Sequence, residues 1–222
     1  MDTAGGHIQG KRRRQEDAFA IETIDAEGRL LLVADGLGGH PRGDLASTEG
    51  IAAFLREFRE QMQAPGTSPR QWMERSLRSA DRHLRGLQQQ DPTLRGMATT
   101  LVALYARGRQ AYALSVGDSY LMILRNGVLR RLNQLHQRDG AVTSCVGFVL
   151  TKVELSDALA TAPGDRFVLA SDGIATLDDS ALTRIVAGAT SAGDTVSALL
   201  GAVEAAARPV QDNATAVTLF LP

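Results

Sequence analysis

AFAIETIDAEGRLLLVA, residues 18–34, contains two strand patterns joined by a polar turn. Residues 18–24 alternate apolar and polar side chains, as expected of a strand with one face on a core. Asp25 to Gly28 have the composition of a turn, and Leu30 to Ala34 form an apolar run typical of a buried strand. This stretch therefore predicts a β-hairpin whose second strand lies inside the protein.

Two helices are predicted after the hairpin. In residues 46–62 the apolar side chains recur at helical spacing, which indicates one face packed on a core. The sequence Ser68-Pro69-Arg70-Gln71 contains a capping serine, a proline suited to the first turn and the glutamine of a capping box. We expect the second helix to begin there and to end before Asp91-Pro92. The two apolar faces consist of Ile51, Phe54, Leu55, Phe58 and Met62, and of Trp72, Leu77, Ala80, Leu84 and Leu87.

Strand patterns dominate the second half of the chain, with β-branched or alternating residues and a strong hairpin signal at Asn126-Gly127. Asp194 is predicted to cap a helix over Thr195–Ala207, and Asp178 and Asp179 are assigned to a turn. Blocks of strands and helices in this order favour an α+β domain with antiparallel sheets covered by helices. The predicted strands are Thr99–Ala106, Gln110–Val116, Tyr120–Arg125, Arg166–Ala170 and Thr215–Leu221.

Composition restricts the class of protein. The 222 residues, 44% hydrophobic and 22% charged, suit one globular domain with its own core. The net charge of −1 provides no electrostatic attraction to nucleic acid or to an anionic membrane. No apolar run approaches the roughly 20 residues that span a bilayer, and no secretory signal is present at the start. We therefore expect a cytoplasmic protein without nucleic-acid or membrane partners, in which the single cysteine, Cys145, is buried.

Three apolar strands run directly into an aspartate next to a glycine. They are LLVADG at residues 31–36, LSVGDS at 114–119 and VLASDG at 168–173. An Asp-Gly pair alone is most often a turn. The threefold recurrence indicates a shared site, because strand ends of one sheet system can bring their carboxylates together and glycine lets the backbone approach a ligand closely.

Clustered carboxylates predict bound metal ions. Their mutual repulsion raises their pKa values unless a cation neutralises them. Oxygen ligands suit Mg²⁺ or Mn²⁺, and the sequence offers no Cys/His cluster for zinc. Two such ions about 3.5 to 4 Å apart would turn a bridging water into a nucleophile and clamp a phosphoryl oxygen. The residues thus favour metal-dependent hydrolysis of a phosphate ester, without a nucleophile from the protein.

Five motifs resemble, in order, those of the metal-dependent protein phosphatases, known as the PPM or type 2C family. The resemblance covers nearly the whole chain, and residues 96–104, with Thr99 and Thr100, also resemble the family's Gly-Thr-Thr strand, although Ala98 replaces a glycine. It implies one catalytic domain over residues 1–222, built as a four-layer αββα sandwich with two central antiparallel β-sheets flanked by helices. The motifs are RRRQED at 12–17, DGLGGH at 35–40, VGDS at 116–119, SDG at 171–173 and DN at 212–213.

The resemblance implies a ligand set for two Mn²⁺ or Mg²⁺ ions, between which the sequence does not choose. Asp35 would bridge both ions. Glu16 and the carbonyl of Gly36 would complete one set of ligands, and Asp172 and Asp212 would hold the other ion.

Three further roles follow from the resemblance. Asp17 would orient metal-bound water, and Asp118 would join Asp172 at a third, weaker metal site. Arg12 occupies the position of the family's phosphate-binding arginine, whose planar guanidinium can hold two phosphate oxygens.

The basic run from Lys11 to Arg14 has a second interpretation as a solvated patch or a nucleic-acid patch. The adjacent Glu16 argues for a catalytic role of Arg12 alone, and the other three cations are interpreted as surface or substrate-recognition charges. Leu37 stands where animal members of the family have a histidine. The leaving group would therefore be protonated by metal-bound water or by His40.

A shortened flap is predicted around residues 133–150. Residues 132–136 resemble the sequence that follows the hairpin in the family, and residues 143–147 resemble the turn after its flap. A reduced flap would open the metal channel, alter the third metal site or transfer specificity to a partner. The sequence does not select among these three effects.

Three functions are compatible with these residues. The first is a bacterial-type phosphatase that acts on phosphoserine and phosphothreonine in proteins and reverses the signalling of a Ser/Thr kinase. The second is a noncatalytic phosphoprotein-binding regulatory domain, and the third is hydrolysis of small phosphorylated metabolites. Retention of every expected carboxylate and of Arg12 favours an enzyme, because a metal site requires complete coordination.

Overall fold

A computed structural model describes all 222 residues, in thirteen strands and four α-helices. None of the helices combines the length and the hydropathy needed to cross a bilayer. In chain order the elements are β1 (Asp2–Ile8), β2 (Asp17–Thr23), β3 (Gly28–Asp35), α1 (Gly43–Gln63), α2 (Pro69–Gln90), β4 (Leu101–Arg107), β5 (Gln110–Val116), β6 (Tyr120–Arg125), β7 (Val128–Arg131), β8 (Gln137–Arg138), β9 (Ala141–Val142), β10 (Glu154–Leu155), β11 (Leu159–Ala160), β12 (Arg166–Ala170), α3 (Asp179–Gly188), α4 (Ala192–Ala205) and β13 (Ala214–Phe220).

The strands form two main antiparallel sheets. The first sheet has the order β1-β13-β12-β6-β7, and the second has the order β10-β5-β4-β3-β2, with β11 also paired to β5. Strands β8 and β9 form a separate small hairpin. The first sheet thus pairs β1 with β13, two strands that lie far apart in the sequence.

Alternating side chains of the buried strands fill two different layers. In β3, Leu30 and Leu32 pack under α1 and α2, whereas Leu31 and Val33 face the first sheet. This division follows from the two-residue period of a strand. Helices α3 and α4 cover the other face of the first sheet. The predicted four-layer αββα sandwich is therefore confirmed.

The elements with strong local signals form where the sequence predicts them. The Asp17–Thr23 and Gly28–Asp35 strands form the expected hairpin. The capping box of α2 is complete, since the Ser68 hydroxyl accepts a hydrogen bond from the Gln71 amide and the Gln71 side chain accepts one from the Ser68 amide. Asn126 and Gly127 have φ angles of 53° and 75°, as a tight hairpin turn requires.

Two local predictions are wrong. The cap of α4 is Ser191, whose hydroxyl accepts a hydrogen bond from the Asp194 amide at 3.0 Å. Asp194 instead lies in the first turn, where its charge complements the helix dipole. Asp178 and Asp179 do not form a simple turn; Asp178 caps α3 through the Ala181 amide, and Asp179 begins that helix.

Strand β1 carries no strong sequence signal, because its glycines Gly5 and Gly6 weaken the strand pattern. Its partner explains the glycine at position 5. A Cβ there would lie 2.5 Å from the ring of Phe19 on the neighbouring sheet. Tertiary packing therefore requires a residue that local propensity disfavours.

Candidate active site

The carboxylates named above meet at one edge of the sandwich because strands from both sheets end there. Asp17 and Asp35 lie directly opposite each other on β2 and β3. Asp172 follows β12 and Asp212 precedes its antiparallel neighbour β13. Asp118 lies in the connection from β5 to β6. Because neighbouring strands are antiparallel, residues from distant parts of the sequence lie at a common edge.

A cavity of about 410 Å³ opens at this edge. All the predicted site residues line it except Asp17, which is buried opposite Asp35 on the paired strand. Thr100, His40 and a segment of the β8–β9 hairpin complete the wall. The lining residues are Arg12, Glu16, Asp35, Gly36, Leu37, Gly38, His40, Thr100, Asp118, Gly140, Ala141, Val142, Asp172, Asp212 and Asn213.

Asp17 is buried and only partly satisfied. Its Oδ2 accepts hydrogen bonds from the hydroxyls of Ser171 and Thr215, each at 2.7 Å. Its Oδ1 is buried without a hydrogen-bond partner. Burial raises the pKa of Asp17, and the two hydroxyls oppose that shift. A buried carboxyl group with an unpaired oxygen is stabilised by a nearby positive charge or by its own protonation.

The electrostatics of the cavity are strongly unfavourable for uncompensated carboxylates. Burial raises the pKa of Asp35 well above its ordinary range, and the surrounding carboxylates raise it further. The pKa of Asp172 rises to about 6, first because of burial and then because of the charges of Asp118 and Asp212. Burial also raises the pKa values of Asp118 and Glu16. A bound cation would therefore stabilise the ionised form of these carboxylates.

Arg12 contributes positive charge at the rim of the cavity. Its guanidinium donates a hydrogen bond to Oδ2 of Asp212, while 47% of the Arg12 side chain remains exposed. The guanidinium also lies against Gly38, where a Cβ would stand 3.2 Å from Nη1. Arg12 is thus held at the entrance with donors available to an anion.

Hydroxyl and amide side chains hold the backbone of the site. Thr100 Oγ1 accepts a hydrogen bond from the Asp35 amide at 3.0 Å, and Thr99 Oγ1 donates one to the Asp35 carbonyl at 2.9 Å. Asn213 Oδ1 accepts from the Glu16 amide at 2.9 Å. The motif resemblance includes Thr99, Thr100 and Asn213, but no local signal marks Thr215 as a partner of Asp17.

Two glycines permit the close approach of α1 to β3. A Cβ at Gly36 would lie 2.2 Å from the carbonyl oxygen of Gly43. A Cβ at Gly43 would lie 2.9 Å from Oε1 of Glu16. The first turn of α1 therefore sets the position of both the Asp35-Gly36 strand end and the Glu16 carboxylate.

The donor set fits hard divalent cations. The predicted ligands are all carboxylate or carbonyl oxygens, and Asp17 and Asp35 have the unsatisfied or crowded oxygens that a cation would compensate. No three acidic, histidine or cysteine side chains converge in a ready-made cage. Carboxylates repel one another, so they do not converge when no cation lies among them.

His40 lies on the cavity wall in a defined orientation. Its Nδ1 is 2.7 Å from the carbonyl oxygen of Gly96, so Nδ1 is the protonated donor. Its ring contacts the edge of Phe148 with 5.7 Å between ring centroids. The contact with Gly96 engages Nδ1 and fixes the orientation of a ring that lines the cavity.

The fold and the site define the class of protein. The family model for protein phosphatase 2C matches residues 5–211, and the chain belongs to this family. Among solved structures, PppA, a key regulatory component of T6SS in Pseudomonas aeruginosa, is 30% identical with a TM-score of 0.83, over 99% of this chain and 97% of that one.

Further relatives have related names. The serine/threonine protein phosphatase PstP of Mycobacterium tuberculosis is 29% identical in an alignment of 172 residues that covers 69% of this chain and 33% of that protein. The serine/threonine phosphatase stp of Listeria monocytogenes is 31% identical over 126 residues, 56% of this chain and 50% of that protein. The match thus spans a third to a half of these relatives. The catalytic domain of PstP in complex with two manganese ions has the same fold, with 23% identity, a TM-score of 0.82, and coverage of 97% of this chain and 96% of that one.

Proposed function

We propose that this protein hydrolyses phosphoserine and phosphothreonine in proteins, with divalent metal ions as cofactors. The observation that carries the proposal is the single cavity in which carboxylates from both sheets lie beside the guanidinium of Arg12. Family membership and the names of the relatives support the same activity.

Five residues are proposed as ligands for two Mn²⁺ or Mg²⁺ ions. Asp35 would contact both, Glu16 and the Gly36 carbonyl would contact one, and Asp172 and Asp212 would contact the other. When bound, such ions acidify water for attack on phosphorus and neutralise charge that develops on the phosphoryl oxygens. The raised pKa values of these carboxylates support a cation as their partner.

The other residues of the site position the reactants. Arg12 would exchange its hydrogen bond with Asp212 for bonds to the phosphoryl oxygens. Asp17, fixed by two hydroxyls, would orient the attacking water beside Asp35. Asp118 would join Asp172 in binding a third cation, which their proximity supports.

We further propose that the segment 133–150 is a reduced flap and that the protein opposes a Ser/Thr kinase in the cytoplasm. Within this segment, β8 and β9 contain two residues each, and Gly140 to Val142 reach the cavity wall. A flap of this size leaves the cavity open to a phosphorylated side chain on a protein surface.

Hydrolysis of a phosphothreonine peptide tests the proposed activity. We expect phosphate release with Mn²⁺ or Mg²⁺, none with excess EDTA, and a large loss in Asp172→Asn. Asp157→Asn is the matched control, because Asp157 is 97% exposed and lies outside the cavity. Release that is unaffected by EDTA would refute the metal assignment. Phosphopeptide binding without release under any metal would favour a noncatalytic regulatory domain.

Gly43→Ala is expected to weaken metal binding by about tenfold, as loss of ligand positioning commonly does. The added Cβ would meet Oε1 of Glu16 at 2.9 Å and displace that carboxylate. The measurement is the Mn²⁺ concentration that gives half-maximal activity, together with direct Mn²⁺ titration by calorimetry.

Gly201→Ala controls for a glycine substitution in a helix. A Cβ at Gly201 in α4 has no neighbour within 4 Å. The Mn²⁺ dependence of the Gly201→Ala variant should therefore equal that of the wild type. An unchanged Mn²⁺ requirement in Gly43→Ala would mean that Glu16 does not depend on this contact.

A further inference from the structure

The loop between β1 and β2 carries four adjacent cations, of which the proposed chemistry uses one. Residues 9–16, here called the basic loop, contain Lys11, Arg12, Arg13 and Arg14. Arg12 contacts Asp212 at the cavity. The other three cations are exposed and form no ion pair with the protein. Their charges are therefore available to a partner.

The basic loop is held firmly against the start of β13. Asn213 Nδ2 donates hydrogen bonds to the carbonyls of Gln9 and Arg14, at 2.8 and 3.0 Å. The Lys11 amide donates to the Gln211 carbonyl at 2.8 Å. Gly10 has a φ of 62°, and a Cβ there would lie 2.3 Å from the Asp212 carbonyl oxygen. The backbone is thus preorganised, so a ligand does not have to order it.

The backbone that carries Arg13 and Arg14 lies next to the cavity. The carbonyl of Arg14 accepts a hydrogen bond at 3.0 Å from Nδ2 of Asn213, and both Asn213 and the nearby Glu16 line the cavity. Arg13 lies between Arg14 and the cavity-lining Arg12 in the sequence. Positive charge at the rim offsets the repulsion that the cavity carboxylates exert on an approaching anionic chain.

The rise per residue of an extended peptide indicates which of its side chains could reach these cations. An extended chain advances about 3.3 Å per residue. If the phosphoryl group contacts Arg12, side chains about one to three residues away from the phosphorylated residue come within reach of Arg13 and Arg14. Carboxylates at those positions would form ion pairs with the unpaired guanidinium groups, whereas neutral side chains would not.

We propose that Arg13 and Arg14 select phosphoprotein segments with acidic residues next to the phosphorylated serine or threonine. The proposal rests on the proposed phosphatase function and adds a substrate class to it. A nucleic acid fits this surface less well, because nucleic acids are bound through many phosphate contacts, whereas the chain has a net charge of −1 and the basic loop offers only three unpaired cations.

Two phosphothreonine peptides test the proposal, one with glutamates at the three positions on each side of the phosphothreonine and one with glutamines there. We expect the wild type to prefer the acidic peptide by about five- to tenfold in kcat/KM, the size of a few exposed ion pairs. The difference should appear mainly in KM, since flanking contacts persist unchanged through the reaction. Raising NaCl to about 1 M, where the Debye length is about 3 Å, should abolish it.

The double variant Arg13→Gln/Arg14→Gln should reduce the preference ratio to about one, because both guanidinium groups are lost. Arg56→Gln/Arg109→Gln is the charge-matched control. Arg56 and Arg109 are exposed and outside the cavity lining, on α1 and in the β4–β5 turn. This control should keep the preference of the wild type.

Equal kcat/KM for the two peptides, or a preference that survives in Arg13→Gln/Arg14→Gln, would overturn the proposal while leaving the phosphatase function intact. Hydrolysis of neither peptide by the wild type would overturn the phosphatase function and, with it, this substrate class.

Discussion

Asp35→Asn is expected to lower kcat by about a thousandfold, because metal-ion catalysis contributes several kcal/mol and each 1.36 kcal/mol corresponds to a factor of ten. Asp35 lies opposite Asp17 on the paired strands, lines the cavity together with Asp172, and is the proposed common ligand of both ions. Asparagine has the same shape but lacks the charge, so the fold should persist. Steady-state hydrolysis of the phosphothreonine peptide at saturating Mn²⁺ measures the loss.

Thermal unfolding gives a second readout of Asp35→Asn. In EDTA its Tm should equal or exceed that of the wild type, because the substitution removes a buried charge among like charges. Added Mn²⁺ should raise the Tm of the wild type much more than that of the variant.

Asp139→Asn is the matched control for this substitution. Asp139 lies in the β8–β9 turn near the cavity, is 93% exposed and has a φ of 52°, which asparagine tolerates. Full activity or full Mn²⁺ stabilisation in Asp35→Asn would contradict its assignment as a shared ligand.

Arg12→Ala is expected to lower kcat/KM by about a hundredfold, since each hydrogen bond to a charged group contributes about 1.5–3 kcal/mol. The guanidinium is half exposed, and Asp212 keeps the hydrogen bond that its Oδ1 accepts from the Asn213 amide at 2.8 Å. The variant should therefore fold and bind Mn²⁺, and the loss should be specific to phosphate binding and positioning.

Arg12→Lys separates charge from geometry. Lysine keeps the positive charge but cannot hold two oxygens with one planar group, so it should recover only part of the lost activity. Full activity in Arg12→Ala, measured beside the Arg56→Ala control, would exclude Arg12 from phosphate binding.

Local sequence patterns predicted most of the fold because they act through near neighbours. The apolar run Leu30–Ala34 and the alternation in residues 18–24 depend only on packing against a core, and the capping box at Ser68 forms within one turn of helix. The caps at Asp178 and Ser191 were missed because aspartate and serine suit turns, caps and first turns alike.

The sequence by itself determined which residue types gather at the candidate site, since an aspartate follows three apolar strands and the family resemblance adds Arg12 and Glu16. Only the tertiary structure decided that Asp17 is buried with hydroxyls of Ser171 and Thr215, that a glycine-rich β1 pairs with β13, and that Asn213 holds the basic loop. These contacts join residues far apart in the chain. Their energies depend on burial and on the approach of separate strands, which a local pattern does not encode.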